Sequence, residues 1–222
     1  GVRPNRHYTE SNAWQYIWSV QHDIDGLISL FGSSDRFNRK LDTFFEMDPA
    51  ISGPKYIGVV GTIGQYVHGN QPSHHVAYLY NYSGEPWKTQ YWTRQICEQL
   101  YRPGPGGLCG NEDMGSLSSW YVLSSMGFYP VTPGSPVYSI GSPLFGKTTI
   151  RPAEGVEFII EAENNSPVNK YIQSATLNGE PLNIPEISHG DIIKGGRLTF
   201  VMGPEPNKDL FEPDRSGSPD NR

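Results

Sequence analysis

The chain has 222 residues, a formal net charge of −6 and 18% charged residues, with an isoelectric point near 5.5 and a mean hydropathy of −0.50. An acidic chain without a long basic run is not a general binder of phosphate backbones, and no stretch approaches the length of an apolar membrane span. With 25 Gly and 19 Pro it reads as loop-rich, and its length allows one large domain or two smaller ones.

The N-terminal segment opens without a signal peptide or an initiating Met, and a helical pattern starts almost at once, as if the chain began inside something larger. Glu10–Val20 places Trp14, Ile17 and Trp18 at helical spacing. Asp23-Ile-Asp-Gly26 restarts a helix through Leu27, Ile28 and Phe31, which Gly32 ends. Ser33 or Ser34 caps a third helix whose apolar face is Phe37, Leu41, Phe44 and Phe45. Met47–Gln71 reads as a long loop, and long ordered loops in compact domains are commonly functional. His74–Tyr82 predicts a short helix. Pro86 opens a longer one with Trp87–Tyr91 and Trp92–Ile96–Leu100 pairs. After a second Gly/Pro loop comes GNEDMGSLSSWYVLSSMGFYP, Gly110–Pro130. This is an acidic turn followed by a helix, with Asp113 at a cap position and Gly127 and Pro130 as stops.

Beyond Pro133 the pattern changes to short β-branched runs: Val137–Ile140, Thr148–Arg151, Val156–Ala162, Ile172–Leu177, Asp191–Ile193 and Arg197–Met202. Glu157, Ile159 and Glu161 alternate with Phe158, Ile160 and Ala162, so one sheet face is solvated. Asn178-Gly179 is a hairpin turn. The expected organisation is α+β and multidomain: stacked helical hairpins over residues 1–133, an antiparallel β-sandwich over 134–204, and a disordered tail over 205–222.

Three clusters carry chemical interest. Glu10 precedes Trp14, Tyr16 and Trp18; beside indole rings a carboxyl is desolvated and becomes a proton donor, although a first-turn Glu also suits a helix dipole. His68, His74 and His75 lack the spacing of a zinc site, whereas Asn70 and Gln71 offer the oxygens that suit calcium; a tight turn with capping histidines is the plainer reading. Asp113 is either a base or a cap on backbone N–H groups. Two carboxylates from separate helix ends across an aromatic cleft are what glycoside hydrolysis requires. Cys97 and Cys109 match no zinc motif, and a disulfide and two buried thiols both stay open.

YTESNAWQY, HGNQPSHH with YLYNY, and GNEDMGSLSSWYVLSSMGFYP, in that order, resemble the glycoside hydrolase family 92 α-mannosidases, and the resemblance runs from residue 7 to about residue 203. It implies a calcium-dependent, inverting exo-enzyme of bacteria, acting on α-1,2-linked mannosides of glycans outside the cytoplasm, in the periplasm, at the cell surface or secreted. By the same resemblance Glu10 is the general acid, Asp113 the general base and Asn111 a helper. Asn70 and Gln71 lie at the calcium site, where Gln71 replaces a more usual Glu. Trp14, His68 and Glu112 are expected to contact substrate. The family fold, an N-terminal β-sandwich followed by an (α/α)6 toroid, implies that this chain is a C-terminal part, inactive without a preceding β-sandwich domain. A non-catalytic carbohydrate-binding relative and a zinc-binding regulatory module are the competing readings.

Overall fold

The computed structural model describes residues 8, 10–50 and 58–211. His7 and Thr9 of the first motif, residues 51–57 of the long loop and residues 212–222 of the expected tail lie outside the described residues.

Helix α1 (Ala13–Tyr16) is held by a capping box between Asn12 and Gln15. It is one turn long rather than reaching Val20. The reason lies at the Trp18 carbonyl, which accepts from Val20 N–H at 2.8 Å and from His75 Nε2 at 2.7 Å. Helix α2 (Ile24–Leu30) is capped by Asp23 and α3 (Ser34–Glu46) by Ser33, as their sequences predict. The predicted long loop contains a small hairpin, β1 (Thr62–Ile63) with β2 (Tyr66–Val67). Two 3₁₀ turns, Gln71–Ser73 and Val76–Asn81, replace the predicted helix over 74–82. All five residues from Val76 to Tyr80 are buried, so this segment has no solvent face. Helices α4 (Pro86–Leu100) and α5 (Ser116–Met126) complete the helical part.

The core of this part is aromatic. Trp18 is fully buried, stacked on Phe31 at 5.9 Å and edge-on to Phe37 at 5.5 Å. Burial of each such side chain contributes about 1.5–3 kcal/mol, which is what fixes short, loosely connected helices.

The remaining strands are β3 (Phe128–Tyr129), β4 (Val137–Ile140), β5 (Lys147–Ala153), β6 (Val156–Glu163), β7 (Tyr171–Leu177), β8 (Glu180–Pro181), β9 (Glu186–Ser188) and β10 (Gly196–Gly203). They form a five-stranded sheet of order β5-β6-β10-β7-β8 and a three-stranded sheet of order β3-β4-β9. Phe128, Ile140 and Ile187 from the smaller sheet share one buried cluster with Phe158, Phe200 and Met202 from the larger. The turn at Asn178-Gly179 has both residues in the left-handed region, as a two-residue hairpin requires.

Three expectations are corrected. The sheet is not wholly antiparallel, because β10 pairs parallel with β6. Asp191–Ile193 is not a strand but part of helix α6 (His189–Lys194), since Ser188 and Asp191 form a capping box. The expected tail does not begin at residue 205. Asn207 Nδ2 donates to the Gln173 carbonyl at 2.9 Å, and Phe211 is buried in the second cluster. The thiols of Cys97 and Cys109 are free, and burial pushes that of Cys97 up to about 12.

Helices and sheets are joined by buried polar contacts. Arg94 of α4 is buried and donates to the carbonyls of Pro143 and Ser166 and to Asn165 Oδ1. Gln90 Oε1 accepts from Ile172 N–H at 2.9 Å.

Candidate active site

Glu10 stands on a left-handed backbone corner, φ 59°. The residues after it turn inward: Ser11, Asn12 and Gln15 are all buried. Asn12 Oδ1 accepts from Trp14 N–H at 2.9 Å, Asn12 N–H donates to Gln15 Oε1 at 2.9 Å, and Gln15 Nε2 donates to the Gln65 carbonyl at 3.0 Å. The local capping work is therefore done by Asn12 and Gln15, and the Glu10 side chain is left exposed. Trp14 does not enclose it. That ring lies under Lys40 Nζ, 3.2 Å from its centroid, a cation–π contact that gives Trp14 a packing partner other than Glu10.

Glu10 lines a cavity of about 300 Å³ with Ser11, Gln15, Tyr16, Ser19, Asn70, Pro72 and Ser73. Glu10 Oε2 and Asn70 Nδ2 each lie 3.5 Å from the point where a Cβ on Gly58 would sit. A side chain at position 58 would thus stand against both groups. Of the cavity residues, Ser11 and Gln15 lie within the YTESNAWQY motif but are not singled out there, and Gly58, beside the cavity, carries no signal in the sequence.

The three histidines are structural. His68 is fully buried. Tyr101 gives its hydroxyl proton to the Leu117 carbonyl at 3.0 Å, so its oxygen accepts from His68 Nε2 at 2.6 Å. That leaves His68 Nδ1 to accept from the Tyr66 hydroxyl at 2.7 Å. Both ring nitrogens are used and the ring is fully buried, so His68 as it stands presents no surface to a ligand. His74 Nε2 donates to the His68 carbonyl at 3.0 Å, and burial lowers its pKa to about 4. Burial also lowers His68 and His75. His75 Nε2 is spent on Trp18. These assignments remove the donors of a zinc site, and among the described residues no group of three or more His, Cys, Asp or Glu could hold a metal ion.

In the acidic turn the capping that Asp113 was one candidate for falls to its neighbour Glu112. Asp113 does not cap α5. The cap position belongs to Gly115, which has no side chain to offer. Glu112 Oε1 accepts from Ser118 N–H at 3.1 Å and Oε2 from Ser118 Oγ–H at 2.8 Å. Glu112 therefore caps the start of α5. Asp113, Met114 and Gly115 follow one another in the left-handed region at φ 43°, 59° and 85°. For non-glycine residues this costs on the order of 1–3 kcal/mol each, and such strain gathers at functional sites. Its result here is that Asp113 and Asn111 are both exposed.

The structure brings Glu10 and Asn70 into one cavity, whose lining does not include Gln71 or the acidic turn. Gln71 makes the connection, since its Nε2 donates to the Asn111 carbonyl at 3.1 Å. Beside it the backbones touch: a Cβ on Gly110 would fall 2.6 Å from Gly69 Cα.

Glu10 and Asp113 are thus two exposed carboxylates on separate corners, linked through the Asn70–Gln71 loop. Residues 2–204 match the sequence profile of the glycosyl hydrolase family 92 catalytic domain, and the chain belongs to that family. A family GH92 α-mannosidase of Bacteroides thetaiotaomicron, solved in complex with mannoimidazole, is 39% identical with a TM-score of 0.87; the match covers 95% of this chain and 28% of that one. An inverting family GH92 mannosidase of the same bacterium is 41% identical with a TM-score of 0.80, over 93% of this chain and 29% of that one. A protein of Arthroderma benhamiae described as an uncharacterized secreted glycosidase is 31% identical over 199 residues, 88% of this chain and 24% of its own length. The chain thus spans about a quarter to three tenths of these relatives. Among the described residues no helix is long and apolar enough to cross a membrane.

Proposed function

We propose that this chain supplies the acid and the base of an inverting exo-α-mannosidase, acting on α-1,2-linked mannose of glycans outside the cytoplasm. One observation carries the reading. Glu10 and Asp113 each sit exposed on a left-handed corner, while neighbours, Asn12 with Gln15 and Glu112, perform the capping that would otherwise occupy them. Glu10 would give its proton to the glycosidic oxygen as the C1–O bond breaks. Asp113 would take a proton from the water that attacks C1 from the opposite face, with Asn111 beside it. The product is mannose of inverted configuration. Inversion requires a separation of roughly 6.5–9.5 Å between the carboxyl groups.

Calcium suits the donors available. Asn70 and Gln71 carry hard amide oxygens, whereas the nearby imidazole nitrogens are engaged. When bound, the ion would order vicinal sugar hydroxyls. Two protein oxygens are far fewer than calcium takes, so this chain holds only part of such a site.

The architecture consistent with this reading is part of an (α/α)6 toroid followed by a β-sandwich, with a preceding β-sandwich domain as partner. Helix α5 supports it: it carries no charged residue, and Val122 and the neighbouring Met114 are exposed, as expected of a surface that another element covers.

The test is kinetic, in a full-length polypeptide containing this chain. Asp113→Asn abolishes turnover of all α-mannosides, while Glu10→Gln spares 4-nitrophenyl mannoside, whose leaving group needs little protonation, relative to α-1,2-mannobiose. Normal kinetics in either variant on mannobiose refutes that residue's role.

A further inference from the structure

Gln71 follows the cavity residue Asn70 directly, yet its own side chain leaves the cavity and donates to the Asn111 carbonyl at 3.1 Å. Only a donor can make that bond. A carboxylate at this position has no proton to give, and would set a negative oxygen against a carbonyl already flanked by Glu112 and Asp113. The joint is otherwise built for close approach. Gly69 and Gly110 meet backbone to backbone, with 2.6 Å between the Cβ position of one and the Cα of the other. Farther along, His74 carries a second link to α5: its carbonyl accepts from Trp120 Nε1 at 3.0 Å, and Ser116 Oγ lies 3.5 Å from its Nδ1. Those links hold the start of the helix. Gln71 is bonded two residues from Asp113, in the segment whose backbone is strained.

We propose that Gln71 is a positioning residue whose amide N–H pins the acidic turn to the Asn70 loop and so sets the spacing between Glu10 and Asp113. Its catalytic consequence rests on the acid and base roles given above; the bond and its mechanical effect do not. Glutamine is suited to the place because one end of the amide donates to the turn while the other remains an oxygen. Glutamate supplies only the oxygen.

The experiment compares Gln71→Glu and Gln71→Lys with wild type in the full-length polypeptide, by hydrogen–deuterium exchange over peptides spanning residues 110–117. Removing one hydrogen bond should speed exchange about fivefold in Gln71→Glu, while Gln71→Lys, whose ammonium can donate to the same carbonyl, keeps wild-type exchange. In parallel kcat of Gln71→Glu on an α-mannoside falls about tenfold with KM little changed, as expected when a reacting group is misplaced. Wild-type exchange in Gln71→Glu overturns the proposal, and so does equally raised exchange in both variants. If the wild-type polypeptide has no mannosidase activity, the functional reading fails while the exchange comparison still decides the role of Gln71.

Discussion

Glu112 grips Ser118 with both carboxylate oxygens, one on the backbone N–H at 3.1 Å and one on the hydroxyl at 2.8 Å. This clamp spans the left-handed run Asp113–Gly115 and replaces the cap that Gly115 cannot supply. The helix start and the exposure of Asp113 therefore depend on the Glu112 carboxylate.

Glu112→Ala should cost about 1 kcal/mol of stability, the usual worth of a cap, and lower kcat through Asp113. Ser118→Ala removes only the hydroxyl bond and should do less. Glu112→Gln keeps an acceptor for Ser118 N–H and should retain most of both properties. Thermal melts and turnover of the full-length variants check the order; equal damage from Gln and Ala would show that acceptance is not what Glu112 contributes.

Gly110→Ala should disable turnover, because the new Cβ would stand 2.6 Å from Gly69 Cα and 2.8 Å from its carbonyl oxygen, forcing the two segments apart. Gly106→Ala, in the preceding loop, meets nothing within 4 Å and should behave as wild type. The kinetic contrast between the two separates the joint from a general demand for glycine.

Acid should destabilise the fold from below neutrality. Burial holds His74 at about 4, against 6.5 for the ordinary side chain, and lowers His68 and His75 as well. The unfolded chain then binds more protons than the folded one below pH 6.5. Stability is fully present above that value and declines as pH falls toward 4, by on the order of 3 kcal/mol for His74 alone. Melting temperatures between pH 8 and 4 test this; a flat profile down to pH 5 would contradict it.

Arg94→Met should be severely destabilising, by about 3 kcal/mol or more, since it strands the carbonyls of Pro143 and Ser166 that the guanidinium satisfies. Glu98, whose carboxylate lies 3.6 Å from Arg94 Nε and is 41% exposed, should be replaceable by Ala at a cost within about 1 kcal/mol. Urea denaturation of the pair measures both.

What the sequence made readable was whatever leaves a periodic trace. Helix α3, with Phe37, Leu41, Phe44 and Phe45 all buried, and strand β6, with Phe158, Ile160 and Ala162 facing in, follow from spacing alone. Short-range competition was harder to read. Asp191–Ile193 reads as a strand because of its isoleucines, and the capping box that Ser188 and Asp191 form overrides that preference. Among Asn111, Glu112 and Asp113, nothing in the spacing says which carboxylate the helix will take, because that depends on left-handed backbone at Met114. The burial of His68 depends on Tyr66, Tyr101 and Leu117, which only the tertiary fold assembles.

The strand order of the larger sheet has a consequence for synthesis. Among the described strands of this sheet β10 is made after the other four, yet it lies in the middle, parallel to β6 on one side and antiparallel to β7 on the other. Until residues 196–203 leave the ribosome, β5–β6 and β7–β8 are two separate hairpins with facing unpaired edges. A nascent chain stalled before that point presents two adhesive strands, and a stop codon there would remove the centre of the sheet rather than its margin.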